Sequence, residues 1–253
     1  MVKYSAKSLD ATFGALADST RRAILERLAQ GEARVTELAA PFAISLPAVS
    51  KHLRVLRVAG LLVREKNGRI QQCRLDAGPM KDATEWLAHY QRHWEKQSAP
   101  SPAFGHKANQ DDVPQRRATA KHSPFPFPST KSSWPILFNL SVNFDENTLD
   151  ATFFALADST RRAMLVCMAF TESSVTELAA PFNISLPALS KHLRILQRAG
   201  LVERRKEGRF NLCRLVATPM QDAALWTSRY RMFWEKQLDS LAAYLEKSNA
   251  VRA

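Results

Sequence analysis

Ser50, Lys51 and Arg54 fall within one helical turn of each other in the stretch Ser45–Gly60, and Ser190, Lys191 and Arg194 repeat the pattern in Ser185–Gly200. A hydroxyl, an ammonium and a guanidinium are all hydrogen-bond donors. Set on one helix face, they suit phosphate oxygens and base edges, the chemistry of a helix laid in a DNA major groove. Leu46, Pro47, Leu186 and Pro187 begin the same two helices. Acid–base or nucleophilic chemistry has no comparable signal. His52 and His192 adjoin these residues, but no nucleophile and carboxylate are spaced to form a triad with them. There is no glycine-rich phosphate loop and no zinc-ligand spacing, so no enzyme and no cofactor are expected.

Such a face needs a helix with a buried back. Val49, Leu53 and Leu56 recur at helical spacing and form one apolar stripe, leaving Ser50, Lys51, Arg54 and Arg57 outward. Ser45 and Ser185 suit an N-cap, Pro47 and Pro187 the first turn, and Gly60 and Gly200 an αL C-cap. Ahead of this helix, Leu9, Phe13, Leu16 and Ala17 predict a first helix ending at Asp18. Ser19 or Thr20 then caps a second, Arg21–Ala29, and Val35, Leu38, Ala39 and Phe42 mark a short third. Two short helices joined by Ala43-Ile44-Ser45 make a helix-turn-helix.

After Gly60 the period changes. Leu61–Leu75 reads as two strands around Asn67-Gly68, and Leu201–Leu215 repeats them with Gly208 at the tip. This hairpin is a basic wing. Arg64, Lys66 and Arg69, with Arg204, Lys206 and Arg209, would lie near phosphates. Pro79 and Pro219 open a last long helix with an aromatic stripe, Trp86, Tyr90 and Trp94, matched by Trp226, Tyr230 and Trp234. Those six are candidates for an interface between paired domains. The second copy of that helix is expected to run on through Leu238, Leu241 and Leu245. Arg21-Arg22 and Arg161-Arg162 suit either phosphate or local pairing with Glu26 or Asp18.

The whole unit is duplicated. A shift of 140 residues aligns Leu9–Gln97 with Leu149–Gln237 without a gap, and about 57 of the 89 positions are identical. The expected domains are 1–97, a Pro/Ser-rich, mostly disordered linker at 98–140, and 141–253. A flexible linker of that length spans about 35 Å, enough to let the copies pair within one chain. An apolar patch at 134–138, followed by a strand-like 138–144, could dock on either domain. The fold class is therefore mainly α with small β-hairpin wings, two winged helix-turn-helix domains in tandem.

The net charge of +12 favours a polyanion, and none of the three segments is acidic. Cys73, Cys167 and Cys213 form no CxxC pair, which excludes a disulfide framework and a zinc module. No apolar run nears the ~18 residues of a membrane span and no signal-peptide core opens the chain, so a cytoplasmic protein is expected.

Asp18–Leu25, Val35–Ala39, Pro47–Leu56 and Ala59–Leu61, in that order, resemble the ArsR/SmtB winged-helix repressors of bacteria. The resemblance covers both repeats, roughly seven tenths of the chain. It implies a dimer with two reading helices in successive major grooves, terminal helices at the dimer interface, and base or phosphate contacts at Leu46, Pro47, Ser50, Lys51 and Arg54. Metal-sensing members carry Cys pairs before the reading helix, where this chain has Glu37–Phe42, or an Asp/His set on the last helix. Asp82, His89 and His93 imitate that set, but His89 and His93 become Arg229 and Phe233 in the second copy, so no metal is expected.

The resulting expectation is a DNA-binding transcriptional repressor, reading an approximately palindromic operator on double-stranded DNA as an intramolecular pseudodimer of unknown effector. The alternatives are a winged-helix protein-interaction module and a four-domain assembly of two chains.

Overall fold

The computed structural model describes residues 6–67, 70–90, 144–169, 171–208 and 210–235. The expected linker, its apolar patch, Arg69, Arg209, His93, Trp94 and the extension past Leu238 lie outside these residues. In the first repeat the order is α1 (Ala6–Leu16), α2 (Ser19–Ala29), β1 (Ala33–Arg34), α3 (Val35–Ala39), α4 (Leu46–Val58), β2 (Leu62–Asn67), β3 (Ile70–Leu75) and α5 (Gly78–Ala88). The second repeat follows the same order. Its elements are α6 (Glu146–Leu156), α7 (Ser159–Met168), β4 (Ser173–Ser174), α8 (Val175–Ala179), α9 (Leu186–Arg198), β5 (Val202–Glu207), β6 (Phe210–Leu215) and α10 (Thr218–Ser228). Both repeats are winged helix-turn-helix units with a small antiparallel sheet.

Local chemistry explains the boundaries and corrects several expectations. The cap of α2 is Asp18, not Ser19 or Thr20. Its carboxylate accepts the Arg21 N–H at 2.9 Å, and Asp158 does the same for Arg161 at 2.8 Å. A carboxylate at the positive end of a helix gains from the dipole as well as the hydrogen bond, which favours it over a hydroxyl. Ahead of α8, Ser174 and Glu177 form a reciprocal capping box. In the first repeat Arg34 replaces that serine, and only the Glu37 carboxylate contributes, accepting the Arg34 N–H at 2.8 Å.

Each sheet has a third strand that the hydrophobic pattern does not announce. β1 pairs with β3 through Ala33↔Cys73, and β4 with β6 through Ser173↔Cys213. Asn67 lies in the strand register rather than in the turn: it pairs with Ile70, as Glu207 pairs with Phe210. Gly208 takes φ +58, the conformation such a tight turn needs.

The expected long last helix is interrupted. α10 stops at Ser228 and helix resumes at 231–235. The Thr227 and Ser228 hydroxyls donate to the Ala224 and Leu225 carbonyls, and Tyr230 N–H bonds to Thr227 O in a tightened turn. The first repeat stops at the equivalent residue, Ala88, where Tyr90 N–H bonds to Leu87 O and neither Leu87 nor Ala88 has a hydroxyl, so the stop does not depend on the hydroxyls.

One apolar core runs through both repeats. Across the seam α1 packs on α6 and α5 on α10. The Phe13 and Phe153 rings stack there with centroids 6.3 Å apart. Arg22, with its side chain 2% exposed, donates to Leu16 O in its own repeat and pairs with Asp150 and Glu146 of the other. Arg162 reciprocates by donating to Leu156 O and to Asp10, each within 2.7 Å. These two arginines are thus neither phosphate contacts nor local partners of Glu26 and Asp18. Arg21 and Arg161 do pair locally, with Asp18 and Asp158. No helix among the described residues is long and apolar enough to cross a membrane.

The buried guanidinium should matter more than either exposed carboxylate. Arg22→Ala is expected to lower the unfolding free energy by about 3 kcal/mol, and Glu146→Ala by under about 1 kcal/mol. Urea denaturation of the two variants measures both, and equal losses would contradict this account.

Candidate nucleic-acid interface

The α3–turn–α4 unit holds the predicted face by anchoring the back and both ends of α4. Val49, Leu53 and Leu56 are 0–1% exposed, and Leu189, Leu193 and Leu196 of α9 are all at 0%. At the C-terminal end Gly60 takes φ +74. Its N–H bonds to Arg57 O at 3.0 Å and the Leu61 N–H to Leu56 O at 2.9 Å, the paired bonds of a Schellman stop. Gly200 and Leu201 repeat the arrangement with Gln197 O and Leu196 O. A Cβ on Gly60 would also press on Pro79 Cγ at 3.3 Å. At the N-terminal end the Ser185 hydroxyl accepts the Ala188 N–H at 3.4 Å, whereas Ser45 makes no such side-chain bond. Ser45 serves instead through its carbonyl, which accepts from Ala48 and Val49. His52 Nδ1 lies 3.4 Å from Asp18 and His192 Nδ1 3.6 Å from Asp158, which sets each reading helix against the cap of the helix behind it.

This anchoring leaves the predicted residues outward. Leu46, Pro47, Lys51 and Arg54 are exposed and Ser50 is half-buried; Leu186, Pro187, Lys191, Arg194 and Ser190 match them. Arg64, Lys66, Arg204 and Lys206 are exposed along the wing strands. Arg64 and Arg204 stand opposite Cys73 and Cys213 in the strand register. The wings differ in their remaining charges. Arg74 meets Glu65 in the first, while the second carries Arg214–Glu203 and an Arg205 shared by Glu172 and Glu207.

The aromatic candidates line the seam rather than the basic face. Trp86 meets Phe13 edge-on at 5.8 Å, and Trp226 meets Phe153 at 5.9 Å. Arg162 lies 6.0 Å over Trp86 from the other repeat. Tyr90, Tyr230 and Trp234 are buried, and burial raises both phenols well above their ordinary pKa. Sequence reasoning missed the carboxylates that meet Arg22 and Arg162 at this seam: Asp10, Glu146 and Asp150. The signal available was Asp10 repeated as Asp150 beside an apolar stripe.

Among the described residues no group of three or more His, Cys, Asp or Glu side chains is placed to hold a metal. His89 Nδ1 sits 2.7 Å from the Glu85 carbonyl of its own helix.

Two reading helices, each backed by a core and flanked by a wing, define a winged helix-turn-helix DNA-binding protein. The family model for bacterial regulatory proteins of the arsR family matches residues 18–63, and a helix-turn-helix domain model matches 156–205. The HTH-type transcriptional regulator Rv2034 of Mycobacterium tuberculosis is 49% identical over 70 residues, which are 28% of this chain and 65% of the relative, just under two thirds of its length. Transcriptional repressor SdpR of Bacillus subtilis is 33% identical over 78 residues, 31% of this chain and 87% of that protein. A crystal structure of an ArsR family transcriptional regulator is 42% identical, covering 38% of this chain and 97% of its own, with a TM-score of 0.35. The chain belongs to the arsR family of bacterial regulatory proteins.

The thiols yield a prediction. Burial raises the pKa of Cys73 and Cys213 despite Arg64 and Arg204 beside them, so the thiolate is scarce at neutral pH. Iodoacetamide should therefore modify half-buried Cys167 first in the native protein and all three at similar rates in urea. Equal native rates, read by peptide mass, would show that the wings open.

Proposed function

We propose that the protein is a transcriptional repressor whose two repeats, 1–97 and 141–253, pair within one chain across the 98–140 linker and read one approximately palindromic operator. The observation that carries this reading is the doubled outward face: Ser50, Lys51 and Arg54 are matched by Ser190, Lys191 and Arg194. Matching donors on two nearly identical reading helices favour near-symmetric half-sites about one helical turn apart. The wing residues Arg64, Lys66, Arg69, Arg204, Lys206 and Arg209 supply flanking phosphate contacts, and Leu46, Pro47, Leu186 and Pro187 lead the helices into the groove. Repression is the role printed in the name of the Bacillus relative.

Pairing of unlike repeats is supported by differences between them at the seam. Arg229 of the second faces Glu26 of the first at 3.8 Å. The equivalent positions are His89 and Val166, so two second repeats would set Arg229 against a valine. Glu146, the second carboxylate on Arg22, corresponds to Ala6, so two first repeats would lack it. A linker raises the effective concentration of the favoured partner and guards against dissociation at low protein levels.

Lys51→Ala combined with Lys191→Ala should weaken binding to all sequences and flatten the salt dependence by about two phosphate contacts. Unchanged affinity and slope would overturn the DNA reading. Footprinting should protect two half-sites per chain, and the free protein should run near 28.4 kDa in solution. A mass near twice that value would replace the pseudodimer with an assembly of two chains.

A further inference from the structure

The two repeats differ in sequence where α1 meets the reading helix, and the first repeat has a groove there. Ala11, Gly14 and Ala15 of α1 face Arg54, Val55, Val58 and Ala59 of α4 across about 350 Å³. Every lining side chain but Arg54 is small or apolar, and Val55 and Val58 are 40% and 73% exposed. That volume and a single charged group in apolar walls are the features of a small-molecule site.

The second repeat shows what fits beside α1. Phe154 stands at the position of Gly14, and Arg198 at that of Val58. Arg161 donates from Nε to Ala155 O and from Nη2 to Phe154 O, which sets its guanidinium 5.4 Å from the Phe154 ring centroid. Arg21 holds the same pose in the first repeat, donating to Ala15 O and Gly14 O, with no ring at Gly14 to lie beside it. Space is not the obstacle: a Cβ on Gly14 would meet only Ala157 Cβ, at 3.7 Å.

We propose that this groove binds a small aromatic carboxylate. Its ring takes the place that Phe154 fills in the second repeat, next to the Arg21 guanidinium. Its carboxylate pairs with Arg54, which has no ion-pair partner among the described residues, in a charge-assisted bond. The site is one-sided, since the second repeat carries its own ring. Occupancy also draws Arg54 away from DNA, and this consequence alone rests on the proposed DNA reading.

Calorimetry on the full chain without DNA, using 2-naphthoate and its neutral amide as probes, tests the site apart from that reading. One naphthoate per chain is expected, with the acid bound about tenfold more tightly than the amide. Gly14→Phe, which copies the second repeat, should abolish binding. If that variant does not fold, Val58→Arg should block the same groove from an exposed position. Arg54→Gln should erase the preference for acid over amide while leaving the amide bound. Absence of saturable binding, two sites per chain, or binding that survives both groove-filling changes would overturn the proposal. Naphthoate should then weaken operator binding by the wild type and not by Gly14→Phe. Ligand binding without that effect would reject the coupling to DNA and leave the site standing.

Discussion

A guanidinium taken out of water must find its hydrogen-bond partners inside the protein, and the rest of this structure is arranged around two such groups. Arg22 and Arg162 each take one carbonyl from their own repeat and a carboxylate from the other. Isolated, either repeat would leave that arginine without its charged partner beside an uncovered apolar surface. The cost of an unpaired buried charge is several kcal/mol. Packing of α2 within a repeat and mating of the repeats are therefore one problem. The arginines also lie over aromatic rings from the opposite side, Arg22 over Phe153 and Arg162 over Phe13. Polar and apolar parts of the seam thus require the same alignment.

That alignment reaches the reading helices through short mechanical links. α2 begins at Asp18, whose carboxylate caps the helix and also meets His52 of α4. Three and four residues on are Arg21, which fastens α1, and Arg22, which enters the seam. A single helical turn therefore joins the first helix, the neighbouring repeat and the helix carrying Lys51 and Arg54. Asp158, Arg161, Arg162 and His192 repeat the circuit. The outward face of α4 is left free to meet a ligand because its orientation is held entirely from behind.

Much of this was legible in the residues. The stripe Val49, Leu53 and Leu56, the stops at Gly60 and Gly200, and the hairpin after them follow from periods and special conformations local to a few residues. The third strands were not legible, because two residues carry no period. The α2 cap was ambiguous for a related reason: Asp18, Ser19 and Thr20 all have suitable oxygens, and only the backbone path selects one. The partners of Arg22 lay furthest from view, since Asp150 is 128 residues away. A run of two arginines says nothing about which one is turned inward. The break after Ser228 was hidden because the aromatic stripe runs straight through it, and Leu87-Ala88 and Thr227-Ser228 stop their helices alike.

A duplicated chain also separates what pairing and reading require from what they tolerate. Two arms of a homodimer cannot diverge, because every substitution appears twice; two arms of one chain can. Here the donors Ser50, Lys51 and Arg54 keep their identity in the second copy, while change falls at the seam, on the wing and at the C-terminal end of the reading helix. Glu26 becomes Val166 and His89 becomes Arg229, which gives the seam a direction. Gly14, beside a groove against α4, becomes Phe154. A symmetric operator constrains the outward face of both readers equally but places no such demand on their backs. On the proposed reading, the matched donors are compatible with two equivalent half-sites, while the differences at the seam distinguish the repeats without altering Ser50, Lys51 or Arg54.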